Sequence, residues 1–232
     1  MASLKELLGV EPHEVPAQDA PMPHSEVPPH RLTAHGLREH FAASLPWQPE
    51  VVRERRWGEV QGVKPAAVLM PLVQRDELMV LLTHRAPHLR AHAGQVAFPG
   101  GKIDEEDRGA IAAALREAQE EVGLEPAGAD VVGELPPYFT GSGYSVTAVV
   151  AVVQPPVLWR PNPTEVESVF EVPLRFLMSA ANHKTHRVQI DQKELTWWSI
   201  SYHDGVRSHY IWGATAAMLR NFYRMLSVQG VN

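Results

Sequence analysis

The sequence contains no cysteine, which excludes a disulfide framework and leaves the redox compartment undiagnosed. It has no apolar run of membrane-spanning length, and residues 1–10 carry Lys5 and Glu6, which makes them a poor secretory signal. Basic residues are fewer than acidic ones: the sequence has 21 Lys and Arg and 27 Asp and Glu, which gives a formal net charge of −6. A general nucleic-acid binder normally has a basic face. We therefore expect a cytoplasmic protein without nucleic-acid or membrane partners.

The chain is long enough for one domain of ordinary size plus an extension, since 44% of its 232 residues are hydrophobic. Six prolines fall within residues 11–30, and proline at this density is expected to prevent both helix formation and strand pairing. We predict that residues 1–45 form a proline-rich, extended arm with short helices near residues 4–8 and 32–45. Residues 46–232 are predicted to form the folded domain.

Within that domain, apolar runs bounded by turn residues predict several strands. Helical spacing of apolar positions predicts three helices, near residues 111–122, 173–178 and 214–226. The predicted strands cover residues 66–73, 78–83, 130–135, 145–153, 187–190 and 195–202. The pattern predicts strands interspersed with three helices.

The first of these helices has three carboxylates on one side. Glu117, Glu120 and Glu121 are separated by three and four residues, which places them on one face. Another face carries an apolar stripe, which consists of Ile111, Leu115, Ala118 and Val122. A divalent cation would convert the repulsion between the carboxylates into binding, and magnesium prefers such oxygen ligands. The alternative is a solvated acidic face.

Glycines flank this helix at two places. Gly100 and Gly101 allow a tight turn and a close approach of the backbone to a ligand or ion. Gly123 follows the last apolar position and is a natural left-handed helix stop.

Residues 116–124 match every fixed position in the second half of the Nudix box, which reads Arg-Glu-apolar-any-Glu-Glu-any-Gly-apolar. The first half departs from the box. Five residues separate Gly101 from Asp107, which stands where Glu is usual. Eight residues rather than seven separate Asp107 from Arg116. The chain thus resembles the Nudix hydrolases over roughly residues 60–226. This resemblance implies an α/β fold, a Nudix-type α/β/α sandwich with a mixed sheet. It also implies that Arg116 holds one of the neighbouring acids in a salt bridge.

A second signature precedes the box. The predicted strand ends at Thr83 and delivers Arg85, Arg90 and His92 into a loop beside the acidic helix. Arginine binds phosphate through a planar, two-pronged donor array; the alternative is that these arginines pair with nearby acids. Residues 81–101 resemble the signature of the Nudix coenzyme A diphosphatases, with Ala86 in the usual serine place. Residues 144–147 and 210–216 resemble that family more weakly.

The resemblance implies an enzyme that hydrolyses the diphosphate of coenzyme A or a derivative, giving 4′-phosphopantetheine and adenosine 3′,5′-bisphosphate. The expected cofactor is Mg²⁺ or Mn²⁺. The expected metal ligands are Glu117, Glu121, Glu120 and the carbonyl of Gly101. The expected catalytic carboxylates are Glu120, Glu117 and Glu165, with the general base left open between Glu120 and Glu165. The expected substrate-binding residues are Arg85, Arg90, His92 and Gln95.

Other hypotheses remain open at this point. The substrate could be another nucleoside diphosphate derivative such as ADP-ribose, and the chain could form a homodimer. A non-catalytic Nudix-fold binding module is disfavoured because all three box carboxylates are retained. Zinc at His84, His88 and His92 would need a continuous helix, which Pro87 opposes. A calcium loop at residues 104–107 lacks the alternating oxygen ligands that such loops carry.

Overall fold

The computed structural model describes residues 8–20, 26–53, 62–190 and 193–229. Most of the predicted helical turn at residues 4–8 lies outside these ranges. In chain order, the strands are β1 (Ala17–Asp19), β2 (Lys64–Gln74), β3 (Leu78–Arg85), β4 (Val96–Ala97), β5 (Gly100–Lys102), β6 (Ala129–Glu134), β7 (Tyr138–Phe139), β8 (Tyr144–Val153), β9 (Val166–Pro173), β10 (Lys184–Ile190), β11 (Lys193–His203) and β12 (Ser208–Trp212). The α-helices are α1 (Ala34–Ala43), α2 (Ala110–Val122), α3 (Leu174–Leu177) and α4 (Gly213–Ser227).

The strands form two sheets within the described residues. The larger sheet has the order β4-β3-β2-β8-β6, with β5 on β2, β7 on β8 and β9 on β3. It is mixed, because β2 and β8 run parallel while β2 and β3 run antiparallel. The smaller sheet is antiparallel in the order β1-β10-β11-β12.

Both faces of the larger sheet are buried, which explains why its central strands read as nearly continuous apolar runs. On β2, Ala67 and Leu69 face a core shared with α2, whereas Met70 and Leu72 face the opposite core. The second core also contains apolar residues of α1, α3, α4 and the smaller sheet. Helices therefore cover the mixed sheet on both sides, and the predicted α/β sandwich is confirmed.

Helix α4 forms a wall of the functional site described below, and two polar contacts fix its position. Thr215 donates a hydrogen bond to the Val96 carbonyl at 3.0 Å, which joins the first turn of α4 to β4. Further along, the fully buried Arg220 pairs with Glu50 at 2.8 Å. Among the described residues, no helix has the length and apolar character that a membrane crossing needs.

Two local expectations are wrong. Residues 17–19 do pair, with β10, although proline was expected to prevent pairing. Pro16 and Pro21 flank this short segment, and β1 is an edge strand that needs hydrogen bonds on one side only. Pro12–Glu14 also form a short 3₁₀ helix. The predicted helix near residues 173–178 is present as Leu174–Leu177, and Pro173 is both the last residue of β9 and the N-cap of this helix.

Candidate active site

The buried face of α2 is rotated relative to the predicted apolar stripe: Ala118 and Val122 of the stripe are buried, and Leu115 is partly buried. Ile111 is 41% exposed, so it is not part of the buried face. The residues that the helix does bury are Ala113, Ala114, Ala118, Glu121 and Val122. Their small side chains allow α2 to pack against β2 and β5, and this rotation turns Glu121 inward. One of the predicted metal-binding carboxylates therefore lies at the edge of the core rather than on an exposed ridge.

Arg116 organises the exposed side of α2. Its guanidinium donates to both carboxylate oxygens of Asp107 at 3.1 and 2.8 Å, and to the Lys102 carbonyl at 3.1 Å. It also donates to Glu117 at 2.9 Å and to Glu120 at 3.3 Å. The expected salt bridge between Arg116 and neighbouring acids is therefore confirmed. Asp107 is a partner of Arg116, whose hydrogen bond lowers the pKa of the Asp107 carboxyl.

Gly100 and Gly101 place the backbone of β5 against the carboxylates of Glu117 and Glu121. The Gly100 amide donates to Glu121 Oε2 at 3.3 Å. A Cβ at Gly101 would lie 2.5 Å from Glu117 Oε1, closer than any side chain tolerates. A Cβ at Gly100 would lie 2.5 Å from the Ala67 carbonyl of β2. Glycine is therefore required at Gly100, where the contact is with backbone, and at Gly101 it leaves space for the Glu117 carboxylate.

Burial dominates the electrostatics of Glu121. Its side chain is 2% exposed, and its Oε1 atom is buried without a hydrogen-bond partner in the described structure. Burial raises the pKa of Glu121 to about 7, while the charge of Arg85, whose Nη1 lies 3.6 Å from Oε1, partly opposes this rise. Burial likewise raises the pKa of Glu117. The charge of Glu165 contributes to the raised pKa of both carboxylates, which places Glu165 near them.

The arrangement is a carboxylate pair rather than a triad. Glu120 is 53% exposed and bonded to Arg116. In the part of the chain that the structure describes, no three His, Cys, Asp or Glu side chains form a group that could hold a metal ion. Mg²⁺ usually takes only one or two protein carboxylates and leaves its other positions to water and substrate. The unpartnered Oε1 of Glu121, together with Glu117 and the Gly101 backbone, fits such a hard cation.

The predicted substrate loop opens onto a cavity of about 190 Å³ beside this pair. Arg85, His92 and Gln95 line the cavity, and the ring Nδ1 of His92 lies 2.9 Å from Gln95 Oε1. Arg90 is exposed on the same loop and is not among the lining residues. The rest of the wall comes in part from the turn between β7 and β8 and from the start of α4. Trp212, Gly213 and Ala214 belong to the segment 210–216, which the sequence singled out by its weaker resemblance, whereas Thr140 and Ser142 were not singled out.

The three histidines spaced four residues apart have separate partners. The His84 ring is 3.0 Å from the His209 ring, which is 2.8 Å from Asp204. His88 is 3.1 Å from the Thr164 carbonyl. Burial lowers the pKa of His84 to about 4, so this ring is neutral at physiological pH.

Comparison with known proteins identifies the family. The NUDIX domain family matches residues 63–193. The uncharacterized Nudix hydrolase NudL of Salmonella typhimurium is 41% identical over 192 residues, which span 82% of this chain and 95% of the relative. The chain belongs to the Nudix family. It is therefore a Nudix hydrolase, as the resemblance of the box implied, and enzymes of this family generally use divalent metals.

Solved structures are similar over part of the chain. RenU, a Nudix hydrolase from M. smegmatis, is 26% identical with a TM-score of 0.44, and the match covers 53% of this chain and 78% of that protein. An Ap4A hydrolase from C. elegans is 20% identical with a TM-score of 0.41, and the match covers 47% of this chain and 80% of that protein.

The burial of Glu121 predicts an unusual pH dependence of stability in metal-free protein. Because the folded-state pKa of about 7 lies above the ordinary value of 4.5, this group stabilises the fold below pH 4.5. That contribution is lost as pH rises to 7. The glutamine of Glu121→Gln does not titrate, so the variant does not lose this contribution. Between pH 5 and pH 8, its unfolding free energy minus that of wild type should therefore increase by roughly 2 kcal/mol. Urea unfolding in EDTA at both pH values measures this difference.

Glu120→Gln is the matched control, because it makes the same change at an exposed position of the same helix. Its unfolding free energy should follow that of wild type at both pH values. Equal behaviour of Glu120→Gln and Glu121→Gln would contradict the burial of the Glu121 charge.

Proposed function

We propose that this Nudix hydrolase cleaves the diphosphate of coenzyme A or a close derivative, giving 4′-phosphopantetheine and adenosine 3′,5′-bisphosphate. One observation carries the proposal. Arg85, from the signature that resembles the coenzyme A diphosphatases, lines the cavity and lies 3.6 Å from Glu121 of the Nudix box. The two signatures therefore meet at one place, where a diphosphate could contact both. The site geometry alone is equally suited to the diphosphate of ADP-ribose, so the choice of substrate rests on the signature.

We assign the metal, Mg²⁺ or Mn²⁺, to Glu117 and Glu121 with the carbonyl of Gly101. Glu120 is exposed and bonded to Arg116, so its role as a ligand stays a prediction from the sequence. When bound, the cation neutralises the diphosphate oxygens and helps to orient and acidify the attacking water. Burial raises the pKa of both carboxylates, and a bound cation would offset the cost of their buried charge.

The arginines are proposed to hold the substrate phosphates. The Nε atom of Arg85 is buried without a hydrogen-bond partner in the described structure, so a phosphate oxygen would satisfy it. Arg90 is exposed on the same loop and can reach a phosphate from the solvent side. His92 and Gln95 lie at the cavity wall and supply polar contacts. Fixed donors of this kind stabilise the charge that develops on the cleaved group.

Glu165 is the stronger candidate for general base. It follows a turn held by Asn162, and its carbonyl accepts a hydrogen bond from the Ala86 amide at 2.8 Å, which fixes it beside Arg85. Its charge acts on both Glu117 and Glu121. Glu120, by contrast, is bonded to Arg116 and largely exposed. We propose that Glu165 accepts the proton of the attacking water while Glu117 and Glu121 hold the metal.

Several finer expectations stay predictions from the sequence. They are the cytoplasmic location, the homodimer, and the division of the chain into an arm at residues 1–45 and a domain at residues 46–232.

The general-base assignment predicts different effects for two conservative variants. Glu165→Gln should lower kcat on coenzyme A at least about 100-fold, the smallest loss typical of a missing general base, and leave Mn²⁺ affinity within about twofold. Glu120→Gln should lower kcat less than about tenfold. Steady-state kinetics and Mn²⁺ titration measure both quantities. The reverse order of the two kcat losses would transfer the role to Glu120.

The proposed reaction predicts specific products. Incubation with coenzyme A and Mg²⁺ should yield the masses of 4′-phosphopantetheine and adenosine 3′,5′-bisphosphate, and EDTA should abolish both. Mass spectrometry detects them directly. In the same assay, kcat/KM for coenzyme A should exceed that for ADP-ribose at least about tenfold, a difference of about 1.4 kcal/mol in transition-state binding. A preference for ADP-ribose would contradict the coenzyme A assignment and support the alternative substrate class.

A further inference from the structure

The cavity beside the metal site is continuous with it at one end. Gly100 lines the cavity and donates its amide to Glu121. Arg85 also lines it and lies 3.6 Å from the same carboxylate. A diphosphate held by Arg85, beside a cation on Glu121, would therefore direct one of its two substituents into the cavity and the other away from it.

The lining of the cavity is mostly apolar and neutral. Its apolar part comes from β2, β8, the glycine loop and α4, and consists of Val68, Val146, Phe98, Trp212, Ala214 and Met218. Its polar part includes the hydroxyls of Thr140 and Ser142, which lie 3.0 Å from each other. Among the described lining residues, Arg85 alone carries a permanent charge, and it lies at the end next to Glu121.

The two substituents of the coenzyme A diphosphate differ in charge. The adenosine side carries a 3′-phosphate, whose burial without a cation would cost several kcal/mol or more. The pantetheine side is neutral. It begins with a branched carbon that carries two methyl groups, followed by a hydroxyl and an amide. This pantoyl unit matches a wall of apolar side chains with a few hydroxyls.

The cavity volume sets a limit on the length of chain that fits. An apolar protein cavity of about 150 Å³ accommodates benzene, a six-carbon ring. A cavity of about 190 Å³ therefore has room for the compact pantoyl unit but not for the whole pantetheine arm. The rest of the arm would extend outward from the cavity.

We propose that this cavity, the pantoyl pocket, binds the branched end of the pantetheine arm and directs the adenosine bisphosphate along the exposed side of the site, where Arg90 lies. The pantoyl pocket is defined by Val68, Val146, Trp212, Ala214 and Met218 with Thr140 and Ser142. The assignment rests on coenzyme A being the substrate, and it adds which half of the molecule the enzyme recognises by shape.

The test narrows the pocket and measures the binding of the two half-molecules separately. Ala214 lines the pocket at the start of α4 and is half-buried, so Ala214→Phe should fill the pocket without entering the core. By isothermal titration calorimetry with Mg²⁺, the Kd of 4′-phosphopantetheine should rise at least about tenfold, or about 1.4 kcal/mol. The Kd of adenosine 3′,5′-bisphosphate should stay within about twofold.

Ala42→Phe is the matched control, because Ala42 is an exposed residue of α1 that does not line the pocket. It should leave both Kd values unchanged. Ala214→Leu provides a smaller obstruction should the larger ring prevent folding, which thermal unfolding reports, and it should weaken 4′-phosphopantetheine selectively by a smaller factor.

The assignment of the pantoyl pocket would be overturned if the wild-type protein failed to bind 4′-phosphopantetheine. It would also be overturned if folded Ala214 variants left the Kd of 4′-phosphopantetheine unchanged. An equal or larger loss of adenosine bisphosphate binding would also overturn it, since the cavity would then hold the nucleotide. Failure of the proposed function has a different signature. In that case the wild-type protein leaves coenzyme A intact, while Ala214→Phe still weakens the binding of 4′-phosphopantetheine selectively.

Discussion

The buried carboxylate of Glu121 is the constraint on which the site depends. It lies on the inner face of α2, receives one amide hydrogen bond from Gly100 and keeps one oxygen without a hydrogen-bond partner among the described residues. A charge in this position is costly unless a cation compensates it. The fold therefore holds a group that is poorly suited to a metal-free protein and well suited to a divalent ion. Membership of the Nudix family, whose enzymes generally use divalent metals, agrees with this interpretation.

The surrounding residues maintain this arrangement. Arg116 spans Asp107 and the outer acids of α2, which fixes the exposed side of the helix. The alanines of the inner side let α2 approach β2 and β5, and the absence of a side chain at Gly101 leaves space for the Glu117 carboxylate. On the other side of β5, the cavity and Arg85 provide the surface that a substrate would meet.

Sequence patterns predict the long elements and the partners of Arg116, but they do not predict how α2 is rotated. β2, β3 and β8 are long apolar runs because both sheet faces are buried, so they are visible without tertiary information. The rotation of α2 depends on alanine packing, which gives a weaker periodic signal than Ile111 and Leu115 do.

Strand β9 was missed because Glu167, Glu171 and Pro173 interrupt its apolar pattern. Strands β4 and β5 are too short for any periodicity. Thr140 and Ser142 of the cavity wall were missed because they join Arg85 and Ala214, which are distant in sequence, only through tertiary packing.

The central claim is that Glu117 and Glu121 bind a divalent cation together. Crystals of the protein soaked in Mn²⁺ and measured at the manganese absorption edge test this directly, because anomalous density locates the ion. The account predicts a peak within bonding distance of both carboxylates, next to Gly101. Density elsewhere in a well-occupied soak, with Glu121 still buried and without a metal contact, would contradict it.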